Sequence, residues 1–142
     1  MCLVTRQNIS KIAETDIQVY KILVRTPSNI LKSPVVWKIN KWTYRLNTEY
    51  KLAGFIDRKK HGSLEFEPYD VLYQVRRGFH TYTTLDDALY AYNNLLIYNP
   101  DNFEEGEGVV IFEAIIPKGS QYAISTDGKE IVSNRIKIVR EA

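Results

Sequence analysis

The stretch Gly78-Phe79-His80-Thr81-Tyr82-Thr83-Thr84-Leu85-Asp86-Asp87 joins the end of a strand to the start of a helix. Phe79 and Tyr82 favour extended, half-buried backbone. A threonine hydroxyl at 83 or 84 can accept one of the orphan amide hydrogens that open a helix. Asp86 and Asp87 then suit the positive end of the helix dipole. Apolar residues recur at Leu85, Ala88, Leu89, Tyr92, Leu95 and Leu96, which predicts one buried helical face. Asn99-Pro100 ends the pattern, because proline cannot continue the hydrogen-bond ladder. The predicted helix therefore spans about residues 84–98.

Strands are expected on both sides of this helix. Val71–Val75 leads into it. After it, Val109–Ile116 is almost continuously apolar and reads as a central strand. Pro117-Lys118-Gly119-Ser120 forms a turn, and Gln121–Ser125 a short strand. Asp127-Gly128 marks a hairpin, since glycine accepts the positive φ the turn needs. Ile131–Val139 closes the series as one strand. Upstream, Ile17–Val24 is the first strand, broken by Thr26-Pro27-Ser28-Asn29. Pro34–Ile39 and Trp42–Leu46 are candidate short strands. The charge run from Asp57 to Gly62 reads as an exposed loop, Asp101–Gly108 as a solvated acidic loop, and residues 1–16 as a polar lead-in. This order of strands, helix and strands predicts an α+β fold with a mostly antiparallel sheet and a C-terminal β hairpin.

Composition fits one domain over residues 1–142. The chain has 142 residues, 44% hydrophobic and 25% charged, enough for a core without metal or disulfide staples. Its ten tyrosines suit half-buried strands. The single cysteine, Cys2, cannot form an internal disulfide. No apolar run approaches a membrane span, and no signal peptide is apparent, so the cytoplasm is the expected compartment. Residues 1–80 hold 14 Lys/Arg and 7 Asp/Glu, and residues 81–142 hold 5 and 10. Such polarity can steer a partner or draw the two halves together.

Few chemistries fit. His61 and His80 are too far apart for a short-spaced zinc set. No Gly-x-x-x-x-Gly-Lys loop occurs. Asp101, Glu104, Glu105 and Glu107 lack the spacing of a calcium loop. His80, Thr81 and Thr83 stand before a helix N-terminus, where an anion such as phosphate is favoured. Equally, the threonines can simply cap the helix. Trp37, Lys41, Trp42, Arg45, Lys59 and Lys60 interleave rings with cations, as in single-stranded nucleic-acid binding. Strands with aromatic inner faces and basic outer faces give the same alternation.

The set Met1-Cys2-Leu3, Val19-Tyr20-Lys21-Ile22-Leu23, Gly78-Phe79-His80-Thr81-Tyr82 and Ile116-Pro117-Lys118-Gly119-Ser120 resembles a group of small uncharacterised bacterial and phage proteins. That resemblance implies no known activity. Tyr20-Lys21, Thr81-Tyr82-Thr83, Ala88, Pro117-Lys118-Gly119 and Glu130 also resemble the ADP-ribosyltransferase fold. That second likeness implies NAD as cofactor, with Thr81 or Thr83 at the nicotinamide ribose and Glu130 stabilising the charge of glycosidic cleavage. Tyr20, Lys21, His80, Thr81 and Glu130 would then share one cleft. The chain has Lys21 where that fold usually has arginine, and Gly128 where it has a second Glu or Gln. Three functions thus stand as expectations: a non-enzymatic accessory or binding protein for a protein or small anion, an NAD-binding enzyme, and a nucleic-acid binder.

Overall fold

A computed structural model describes residues 3–5, 11–33, 43–52, 58–63, 71–75, 78–98 and 105–142. The strands in chain order are β1 (Leu3–Thr5), β2 (Lys11–Ile12), β3 (Ile17–Arg25), β4 (Leu31–Lys32), β5 (Thr43–Tyr44), β6 (Glu49–Lys51), β7 (Arg58–Ser63), β8 (Val71–Val75) and β9 (Phe79–Tyr82). The helix α1 (Leu85–Tyr98) follows. Then come β10 (Gly108–Ile116), β11 (Gln121–Ile124), β12 (Glu130–Ser133) and β13 (Arg135–Glu141). Every pairing between the described strands is antiparallel. The fold is α+β, as the pattern of elements predicts.

The main sheet has the order β2-β11-β12-β9-β3-β10-β13-β6, with β4 and β5 branching from β3. One residue, Asn134, joins β12 to β13, yet three strands lie between them on this path. Four ladder steps in a flat sheet span about 19 Å. Two residues of chain reach only about 7 Å. The sheet must therefore curl until β12 and β13 meet at a corner. Asn134 is buried there. Its Oδ1 accepts from the Gln121 amide at 2.8 Å, and its own amide donates to the Gln121 carbonyl at 3.0 Å.

Curling gives the sheet an inside and an outside. Val19 and Leu23 of β3, Phe79 of β9, Phe112, Ala114 and Ile116 of β10, Ile131 of β12, and Ile136 and Ile138 of β13 fill the inside, with Leu31 and Tyr44. The alternate residues face out, since successive strand side chains point to opposite faces. There Ile22 and Ile111 meet Ala88 of α1. Further along the outside, Val132 and Ala123 meet Leu3 and Val75. That second contact docks a small sheet of order β1-β8-β7. An irregularity in the β10–β13 ladder at Glu113/Ala114 keeps both Ile138 and Arg140 on their proper faces.

Several local expectations are revised. The polar lead-in contains β1, whose Leu3 and Thr5 are fully buried, and β2. Pairing with β8 overrides the polar surroundings. The charge run reads as a loop but forms β7 from Arg58 to Ser63, paired with β8. A register shift between Lys60 and Gly62 makes His61 the extra residue of a bulge. Asp57 lies outside the described residues, as does the candidate strand 34–39. Of Trp42–Leu46, Thr43 and Tyr44 form β5, and the chain then turns. Ile131–Val139 is not one strand: Asn134 breaks it into β12 and β13. The helix buries Ala88 and packs the partly buried Ala91 and Tyr92 against the sheet, while Leu85 and Leu89 remain 40% and 42% exposed. Alanines let the helix lie close to the sheet, and the two leucines fall at the rim of that contact. In the acidic loop, Glu107 is not solvated: its side chain is buried in an ion pair with Lys32.

Candidate functional site

The residues singled out in sequence lie mostly on β3, β9 and β12, where these strands adjoin. Tyr20 pairs with Tyr82, and Tyr82 with Glu130. On the other side Tyr20 pairs with Glu113, and Glu113 with Arg140. Arg140, Glu113, Tyr20, Tyr82 and Glu130 thus form one row across five strands of the outer face. Arg140 Nε meets Glu113 Oε2 at 2.7 Å. Burial, and then the charge of Asp127, push the Glu130 carboxyl above the usual carboxylate range. Burial, and then the charge of Glu130, push the Tyr82 phenol up to about 12. Beside the row lies a depression of about 140 Å³, lined by Asp16, Gln18, Glu113, Ala114, Ile115, Val139 and Arg140.

His80 stands opposite Val132, two places from Tyr82. It is therefore a diagonal neighbour of Glu130, at about 7–8 Å by strand geometry. Lys21 and Thr81 belong to the opposite face. Thr81 is buried, and its Oγ1 donates to the Ile131 carbonyl at 3.0 Å. Lys21 is 6% exposed. Its Nζ donates to the His80 carbonyl at 2.9 Å and lies 5.8 Å from the Tyr44 ring centroid. Burial pulls its ammonium down from 10.5 to about 8. Strand alternation thus brings Tyr20, His80 and Glu130 together and sets Lys21 and Thr81 behind them.

The helix start is committed to internal contacts. The Asp87 amide donates to Thr84 Oγ1 at 3.1 Å, and Thr84 Oγ1 donates to Asp87 Oδ2 at 2.7 Å. Thr84 is thus the cap, in a reciprocal arrangement with a carboxylate three residues on. Thr83 instead grips the β11–β12 hairpin: its amide donates to the Lys129 carbonyl at 3.0 Å, and its Oγ1 reaches the Gly128 carbonyl at 3.1 Å. Gly78 enters β9 with φ of 151°, where an added Cβ would collide with Val132 Cγ2. Glycine is required by that close approach.

The basic and aromatic set is only partly visible. Trp37, Lys41 and Trp42 lie outside the described residues. Lys59 and Lys60 are on β7, and the exposed Arg45 follows β5. Sequence reasoning missed Glu113, and it named Tyr82 and Tyr44 without linking them to Glu130 or Lys21. The register of Glu113 and Tyr82 with Tyr20, and the approach of the Tyr44 ring to Lys21, exist only once strand order is known.

No helix among the described residues is long and apolar enough to cross a membrane. Among them, no cluster of His, Cys, Asp and Glu suits a metal ion. The chain matches no protein-family model, no curated protein and no solved structure.

Proposed function

We propose that this chain is a small non-enzymatic binding protein of the cytoplasm, akin to the bacterial and phage proteins whose pattern it resembles. One observation carries this reading. The residues an ADP-ribosyltransferase would gather around one nicotinamide ribose are divided between two faces of a sheet. Tyr20 and Glu130 face out, whereas Lys21 and Thr81 are buried inside and hydrogen-bonded to backbone carbonyls. A substrate touching Glu130 on the outer face cannot also touch Thr81. The helix start adds support, because the Asp87 carboxylate already occupies the place where an anion would dock.

The test is thermal unfolding of the chain with NAD or a short single-stranded oligonucleotide, combined with chromatographic assay of NAD cleavage. The expected result is no cleavage above the buffer rate and no rise in Tm with either. Binding at 100 times Kd would add about 2.7 kcal/mol of stability, so silence is informative. NAD cleavage that disappears in Glu130→Gln would make the protein an enzyme and overturn the reading.

A further inference from the structure

Among the described residues, the buried inside of the curled sheet holds the hydroxyls of Thr81 and Ser133 but no charge except where Lys21 enters it. β10 pairs with β3 along its whole length, from Ile17 to Arg25. The other edge of β3 is divided. β9 meets it at Tyr20, and β4 meets it at Val24 and Arg25. Between these pairings the edge forks, and no described strand pairs with residues 21–23 there. Lys21 stands at the fork. Its neighbours toward the core are Tyr44, which stacks edge-on against Phe79 at 6.4 Å and Tyr50 at 5.2 Å.

An ammonium has three N–H donors and no acceptor. Lys21 has one hydrogen bond, to the His80 carbonyl, and a ring face. No carboxylate among the described residues pairs with it. Buried charges are ordinarily paired, because an uncompensated one costs several kcal/mol. Among the described residues, Lys21 is therefore a buried cation with two donors to spare and no counter-ion, placed where the wall of the sheet divides.

We propose that the fork between β9 and β4 binds a small organic carboxylate, with the Lys21 ammonium as its counter-ion and the rings of Tyr44 and Phe79 as its apolar wall. The proposal rests on the binding-protein reading and names its ligand class. A carboxylate supplies two acceptor oxygens for the unused donors and exchanges a ring contact for a charge-assisted hydrogen bond. One cation balances one negative charge. The aromatic wall favours an apolar body behind the carboxylate, whereas a phosphate dianion would bring excess charge and hydration into an apolar interior.

The test is thermal unfolding and titration calorimetry of the full chain with benzoate, phenylacetate, octanoate and inorganic phosphate. At least one carboxylate should raise Tm by on the order of 8 °C at about 100 times its Kd, and phosphate should not. Lys21→Met should abolish the response. The Lys21 Nζ signal of the wild-type protein, followed by NMR during titration, gives a readout independent of any variant and should move with saturation. A silent carboxylate panel, an equal response in Lys21→Met, or an unmoved Nζ signal during binding would each overturn the proposal. A silent panel without NAD cleavage removes this site and leaves the binding-protein reading standing. NAD cleavage dependent on Glu130 removes that reading itself.

Discussion

The two faces of β3 answer different demands. On the inside, Val19 and Leu23 are fully buried in the main core, and Lys21 lies between them with the same burial but a charge. On the outside, Tyr20 and Ile22 are partly or wholly covered by α1 and its neighbours, and Tyr20 shares a row with Glu113, Tyr82 and Glu130. Polar groups on the outer row keep contact with solvent and with one another. Lys21, the buried inner charge among the described residues, is shut off from solvent and keeps one hydrogen bond, to the His80 carbonyl. The same polar chemistry is therefore a modest matter on one face and a costly one on the other.

Inner substitutions should produce the largest effects. Phe112→Ala removes the largest fully buried side chain among the described residues and should destabilise the fold by roughly 3–5 kcal/mol in urea unfolding. A loss below about 1 kcal/mol would break the distinction between the faces.

The inner charge gives the second effect, and it has an unusual sign. The lowered pKa of Lys21, about 8 against 10.5, means that the folded state releases its proton first. Stability should rise as pH climbs from 8 toward 10, with a full span on the order of 3 kcal/mol. Tyr44 and Tyr82, both pushed up to about 12, keep their protons in the folded state longer than in the unfolded one. They should reverse the trend above pH 10. In Lys21→Met the rise should vanish and the fall remain, with higher stability at pH 7. Unfolding midpoints across pH 7–11 measure this, and a flat wild-type profile would contradict the inner placement of the charge.

The outer face supplies the smallest change. Thr84→Ala removes the helix cap and should cost about 1 kcal/mol, with the core spectroscopically unchanged. A larger loss would tie the helix start to the interior more closely than its contacts imply.

Legibility in the sequence followed the same division between local and distant causes. The long apolar run of β10, the Asp-Gly hairpin and the Thr-Thr-x-Asp-Asp helix start depend on a few adjacent residues, and all three were readable. The charged run Arg58-Lys59-Lys60 does not look like a strand, because its reason for being one is β8. Leu3 and Thr5 are buried by partners more than fifty residues away. Ser133-Asn134 reads as the middle of a strand, since the Gln121 backbone that holds Asn134 in place is not visible locally. For the site, Tyr20 and Lys21 were noticed together, but adjacency in a strand is what separates them. Only the ladder reveals that Tyr20 belongs with Glu130 and Lys21 with Tyr44.

The corner at Asn134 has a consequence for how the protein is made. One residue ties the two ends of a five-strand path, so the interior stays open until β13 docks on β10. A ribosome therefore displays most of the core residues before the strand that seals them has emerged. Collapse of the earlier strands can precede that moment, but the curl closes only once β13 has docked. The rate of closure is then governed by the search of β13 for its slot between β10 and β6.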